Sequence, residues 1–156
     1  MTNRRPKLIA TDLDGTIVPH DEAISHRTIA AFTKARDLGV EIFFVTGRPP
    51  RWMGDVREAF DFGSAICCNG GLLYDLHNDK VLEQWMIQPT ELQKAVDLLR
   101  VAIPNVSFAV ESNDHFHREE NHTDQEQEND RRHEITSTVR PNSAAPVTFT
   151  LVPASA

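Results

Sequence analysis

Three short apolar runs, each stopping at a block of glycine and small polar residues, constrain this chain more than any other feature. They are "KLIATD", which runs into "LDGT" at Leu13 to Thr16; "VEIFFVT", which runs into "GRPP" at Gly47 to Pro50; and "AIC", which runs into "CNGG" at Cys68 to Gly71. The first lacks clean polar–apolar alternation and the second repeats its pattern, which predicts strands buried on both faces of a parallel sheet. Between them Ser25 is placed to cap a helix whose apolar stripe is Ile29, Phe32, Ala35 and Leu38, with Gly39 at its end. Strand, helix, strand makes a βαβ unit, for which a right-handed crossover is expected.

Further along, Trp52, Val56 and Phe60 recur at helical spacing before Gly63. That stripe is expected in the core rather than around a ligand. "GLLYDL" and "KVLEQWMI" flank "HNDK", a hairpin signal with Asn78 and Asp79 in the turn. "PTELQKAVDLLRVA" predicts an amphipathic helix with Leu92, Val96 and Leu99 on one face and Thr90 and Gln93 as a capping box; "VSFAVE" predicts one more strand. After Glu119 large apolar residues almost vanish, so 120–156 is expected to be a disordered polar tail; its closing "VTFTLV" has strand character but no obvious partner nearby. The expected organisation is a core over 1–86, a second, smaller α/β element beginning at 87–119, and the tail.

The 156 residues suffice for one ordinary domain, or one domain and part of a second. A formal net charge of −7 argues against a nucleic-acid surface, so any anionic substrate must be held by local groups. The two cysteines, Cys67 and Cys68, are adjacent and cannot staple distant segments, which favours a reducing compartment; they are expected to be small core residues. The apolar run at the N-terminus is too short for a signal-peptide core, and no stretch approaches a membrane span. A cytoplasmic location is expected, with no membrane or nucleic-acid partner. Oligomeric state stays open.

Ligands of open parallel α/β sheets bind at the carboxyl ends of the strands, where the three polar blocks converge. Phosphoryl transfer fits them. Asp12 can attack phosphorus to give an acyl phosphate, and Asp14 can protonate the leaving oxygen and then deprotonate water. Mg²⁺ would neutralise charge between Asp12 and the phosphate, and the Thr46 hydroxyl with nearby N–H groups could hold phosphate oxygens. His115 and His117 alternate on a possible strand, but no further ligand spacing supports a metal there.

The blocks "DLDGT", "VTGRP" and "CNGG", in this order from about Lys7 to about Arg118, resemble the haloacid-dehalogenase-like phosphatase superfamily, Cof-type sugar-phosphatase subgroup. The resemblance implies a Rossmann-like parallel core with an inserted α/β cap, Mg²⁺ and small phosphorylated metabolites as substrates. It further implies that Asp12 is nucleophile and metal ligand, and that Asp14 is general acid/base with its carbonyl on the metal. Thr46, with Gly47, holds phosphate, while Arg48, Asn69 and Gly70 line the substrate side. Family members also carry a later lysine and a "GDxxND" block. This sequence has neither: Lys80 and Lys94 lie near or in the cap helix, and Asp124 and Asp130 follow no strand. Two expectations therefore stand side by side, a metal-dependent phosphatase represented by its N-terminal part, or a catalytically defunct remnant that binds phosphate or a partner.

Overall fold

The first apolar run forms β1 (Leu8–Asp12), and the helix signalled by Ser25 forms α1 (His26–Asp37). Ser25 caps α1 as expected, its hydroxyl accepting from the Thr28 N–H at 3.1 Å, and Gly39 takes the left-handed φ of 77° that ends it. The chain then returns as β2 (Glu41–Val45), parallel to β1. After a single turn at Pro50–Trp52 comes α2 (Gly54–Phe60), then β3 (Ser64–Cys67), β4 (Leu72–Asp75) and β5 (Lys80–Gln84). Strand order in this five-stranded sheet is β1-β2-β3-β4-β5, parallel through β3 and antiparallel beyond it. The expected hairpin is β4 and β5. In this computed structural model the described residues are 6–20, 22–112, 115–119, 137–138 and 148–151. They fall into two units, Met1–Trp85 and Met86–Ala156, and among them no helix is long and apolar enough to cross a membrane.

The first unit is built on one face of its sheet. Ile42, Phe44, Ala65, Cys67, Leu72 and Tyr74 share that face by register and are all buried. Phe44 lies 4.9 Å, centroid to centroid, from Phe60 of α2 and 6.0 Å from Phe32 of α1, and Phe60 is 5.7 Å from Phe62. Pairs of this kind add about 0.5–1.5 kcal/mol each beyond the area they bury. Of the expected core stripe, Val56 and Phe60 are buried, whereas Trp52 lies in the turn before α2 and is only half-buried.

Two expectations fail here. β1 was expected to be buried on both faces, yet none of its five residues is buried, and β2 alternates, with Ile42 and Phe44 buried and Glu41 and Val45 exposed. The reason is position: among the described residues β1 is the sheet edge, paired only with β2, and both helices pack on a single face. The other correction is local. Helix α3 (Pro89–Ala102) starts at Gln88 without a side-chain cap, because Pro89 takes the first helical position with its φ already set; Thr90 is inside the helix, and Gln93 bonds Asp97 instead.

In the second unit α3 is followed by β6 (Phe108–Ser112) and β7 (His115–Arg118), an antiparallel pair. Glu119 joins α3 to this pair, accepting from Arg100 and, at 3.2 Å, from the Phe108 N–H. Two further strands, β8 (Ser137–Thr138) and β9 (Thr148–Leu151), complete a sheet of order β8-β7-β6-β9. The closing apolar segment thus has a partner after all: β9 runs antiparallel to β6, with Phe108 opposite Leu151. Apart from these two strands, the expected disordered tail lies outside the described residues.

Candidate functional site

The loop after β1 is folded around Leu13. This side chain is fully buried, and its carbonyl accepts N–H bonds from Thr16, Ile17 and Val18 at 3.1, 3.0 and 2.9 Å. Anchoring the middle residue inward leaves its two acidic neighbours, Asp12 and Asp14, exposed. Gly15, with φ 74°, makes the turn that β-carbon sterics would oppose. Thr16 then reaches back, its hydroxyl donating to Asp12 Oδ2 at 3.0 Å. Four hydrogen bonds and one buried leucine hold the pair of acids on a short turn.

The second loop meets the first through side chains. Thr46 is buried, its N–H continuing the sheet to the Ile66 carbonyl at 2.9 Å. Its hydroxyl accepts from the Arg48 N–H at 3.1 Å and points at Asp14 Oδ2, 3.4 Å away. Arg48 engages Asp14 along one edge of its guanidinium: Nε lies 3.0 and 3.1 Å from the two carboxylate oxygens and Nη2 2.5 Å from Oδ1. Its remaining amino group, Nη1, donates to both oxygens of Asp55, at 3.0 and 3.1 Å, and to the Trp52 carbonyl at 3.2 Å. Burial by itself would lower the Arg48 pKa, but hydrogen bonds and charge from Asp14 and Asp55 outweigh it and hold the pKa above its ordinary value. The guanidinium is a fixed positive charge.

The third loop is stitched to the second by backbone. The Cys68 N–H donates to the Arg48 carbonyl at 3.1 Å and the Asn69 N–H to the Thr46 carbonyl at 3.2 Å. Both residues take left-handed φ values, 51° and 53°, followed by Gly70 at 100°. Gly47 eases this approach, since a β-carbon on it would stand 3.3 Å from Asn69 Oδ1 and the Asn69 side chain would have to shift, whereas one on Gly70 would meet nothing. Cys67 and Cys68 are buried core residues, as expected. Desolvation and the neighbouring thiol push the Cys67 pKa up to about 12, so it is not a thiolate near neutral pH.

Every sequence-predicted site residue therefore lies at the carboxyl end of β1 or in the loops that follow β1, β2 and β3. Asp14, Thr46 and Arg48 are joined directly, Gly47 abuts Asn69, Gly70 follows in the same turn, and Asp12 stands opposite Val45 in the sheet register, one residue before Thr46. Two participants escaped sequence reasoning. Thr16 lies within "DLDGT" but its spacing signals no role, and Asp55, seven residues past Arg48, carries only the signal of an acid in the first turn of a helix. Among the described residues no group of three or more His, Cys, Asp or Glu side chains is placed to hold a metal ion.

Residues 9–148 match the family model of haloacid dehalogenase-like hydrolases. Among curated proteins, the chain is 35% identical over 96 residues to the pyridoxal phosphate phosphatase YbhA of Escherichia coli K12, covering 61% of this chain and 34% of that protein. It is 31% identical over 93 residues to the 5-amino-6-(5-phospho-D-ribitylamino)uracil phosphatase YcsE of Bacillus subtilis 168, covering 59% of this chain and 37% of that one. The chain thus matches about a third of the length of these relatives. Its fold superposes on BT1666 of Bacteroides thetaiotaomicron, a phosphatase of the same superfamily, with a TM-score of 0.66 at 23% identity, over 86% of this chain and 50% of that one.

Proposed function

Because the chain belongs to the haloacid dehalogenase-like hydrolase family, we propose that it carries the nucleophile and acid–base loops of a phosphatase acting on small phosphorylated, sugar-phosphate-like metabolites. The observation that carries this reading is the turn at Asp12–Thr16, which presents two carboxylates, Asp12 held by Thr16 and Asp14 against a buried threonine and a fixed arginine. The relatives' names, phosphatases of small phosphorylated compounds, support the substrate class.

The chemistry follows from the geometry. Thr16 holds Asp12 Oδ2, which leaves Oδ1 to attack phosphorus. As the Asp12–phosphorus bond forms, the ester P–O bond breaks and the leaving oxygen takes a proton from Asp14. Water then attacks the aspartyl phosphate, gives its proton back to Asp14, and displaces the Asp12 carboxylate with release of inorganic phosphate. The Thr46 hydroxyl would hold a phosphoryl oxygen, and Arg48 supplies positive charge beside it.

Mg²⁺ is compatible with this donor set in kind, because Asp12 and the Asp14 carbonyl are hard oxygen ligands. Bound there, the ion would neutralise charge on the phosphoryl oxygens. Asp12 and the Asp14 carbonyl would hold it from the protein side. The second reading, phosphate binding with little turnover, rests on the later lysine and "GDxxND" block that this sequence does not carry. Loss of one fixed electrostatic group typically costs about 10²–10³ in rate.

The test is beryllium fluoride trapping together with hydrolysis of an aryl phosphate. Asp12→Asn removes the nucleophile and keeps its shape, so the trapped adduct and any turnover should both disappear while the fold persists. Turnover at the parental rate in this variant would overturn the assignment. A chain that binds phosphate but forms no adduct would establish the remnant reading.

A further inference from the structure

Arg48 divides its donors between two carboxylates of unequal function. The Nε and Nη2 edge is spent on Asp14, the acid–base candidate, whereas Nη1 is spent on Asp55 and the Trp52 carbonyl, neither of which belongs to the three catalytic loops. Asp14 cannot serve a leaving oxygen while two guanidinium N–H groups occupy it. An arriving phosphoryl dianion presents a better target for the same planar edge, since two parallel N–H bonds match phosphate as well as carboxylate. The edge facing Asp14 is the one that must change partner. The end facing Asp55 need not move.

We propose that Asp55 is a positioning residue that tethers Arg48 at the site, so that the guanidinium can exchange Asp14 for the substrate phosphoryl group without being released to solvent. Three observations carry this. Asp55 contacts Arg48 through both oxygens, so the tether fixes orientation as well as distance. The Arg48 side chain is 17% exposed while those of Asp14 and Asp55 are 48% and 52% exposed, so the arginine is the seated partner and Asp14 has open space to leave it. Asp55 is itself fixed, because Oδ1 also accepts the Val56 N–H at 2.8 Å in the first turn of α2, whose Val56 and Phe60 are buried. Rigidity of the tether is therefore borrowed from the core. Without it, Arg48 would keep only the Trp52 carbonyl when it let go of Asp14, and a long side chain would have to be ordered anew for each phosphate bound.

The tether depends on the phosphoryl-transfer reading only for the identity of the anion, and the experiment separates the two. In the ligand-free chain, ¹⁵N relaxation at Arg48 Nε reports whether the guanidinium is held. Asp14→Asn should leave Nε ordered, and adding Asp55→Asn to it should mobilise Nε. Disorder already present in Asp14→Asn, or order surviving in the double variant, would overturn the tether whatever the chain binds. Inorganic phosphate is the second probe. Asp55→Asn keeps an acceptor for the Val56 N–H and hence the start of α2, so thermal stability should hold while phosphate affinity falls about tenfold, or about 1.4 kcal/mol. Asp55→Glu should restore part of that loss. Wild-type affinity in Asp55→Asn would refute the tether, whereas no phosphate binding by the parent chain, with the relaxation pattern intact, would count against the phosphatase reading alone.

Discussion

The two faces of the five-stranded sheet are made from the same strands and have opposite fates. On one, Ile42, Phe44, Ala65, Cys67 and Tyr74 are buried beneath α1 and α2 and meet an aromatic cluster. On the other, Leu8 and Val45 are 46% and 37% exposed, with Phe43, Ile66 and Leu73 half-buried beside them. The loops of the candidate site grow from the ends of these strands, and what holds them in register is the packed face together with polar bonds at the rim. The open face contributes apolar surface and an edge strand, features that recruit other chains. Order in the site and exposure of the sheet are thus independent properties, and each can be altered alone.

The largest effect is expected at the centre of the packed face. Phe44→Ala empties the space between Phe32 and Phe60 and should cost about 3–5 kcal/mol in urea unfolding, enough to threaten folding altogether. A loss below about 1 kcal/mol would mean that the aromatic cluster does not organise this unit.

Alkaline pH probes the same face without mutation. The Cys67 thiol has a folded pKa of about 12 against an ordinary 9.0, so the folded state favours the protonated form. Its stabilising contribution is complete below about pH 9 and should be lost between about pH 9 and 12, at roughly 1.4 kcal/mol per pH unit within that window. Burial, ahead of its hydrogen bond to Asp79, shifts Tyr74 in the same direction, which extends the decline. Denaturant midpoints flat from pH 8 to 11 would show that neither group is sealed from water.

A smaller loss is expected where the packed face meets the hairpin. The buried Tyr74 hydroxyl donates to Asp79, which also takes Arg57 of α2 at 2.6 Å. Tyr74→Phe leaves that pair intact and removes one charge-assisted hydrogen bond, so about 1.5–3 kcal/mol should be lost by thermal unfolding. A neutral result would make the hydroxyl irrelevant to the hairpin.

The open face should give the smallest change in stability and a large change in behaviour. Leu8→Lys adds a charge at the exposed edge strand and should alter unfolding free energy by no more than about 0.5 kcal/mol. Size-exclusion profiles should shift toward monomer, since lysines on edges block strand addition. If the parent chain is already monomeric at high concentration, the open face is not adhesive and the contrast with the packed face loses its consequence.

Much of this is legible in the sequence. Ser25, Gly39, the turn around Asn78 and Asp79, and the three strand-ending blocks are local signals, because a cap, a left-handed turn or an apolar run is decided by residues a few positions apart. The convergence of Asp12, Asp14, Thr46, Arg48, Asn69 and Gly70 at one sheet edge followed from strand direction alone. What remained hidden depends on partners. Whether an apolar strand is buried depends on how many neighbours the sheet gives it, and β1 has one among the described residues. The pairing of Thr148–Leu151 with β6 joins segments some forty residues apart across a stretch with no signal of its own. Asp55 came within reach of Arg48 only because a turn at Pro50–Trp52 brings the start of α2 back toward the loop. Local pattern thus determined which residues could do chemistry, and tertiary packing decided which of them are held, since a hydrogen bond to a side chain seven residues away exists only once the backbone between has been folded into place.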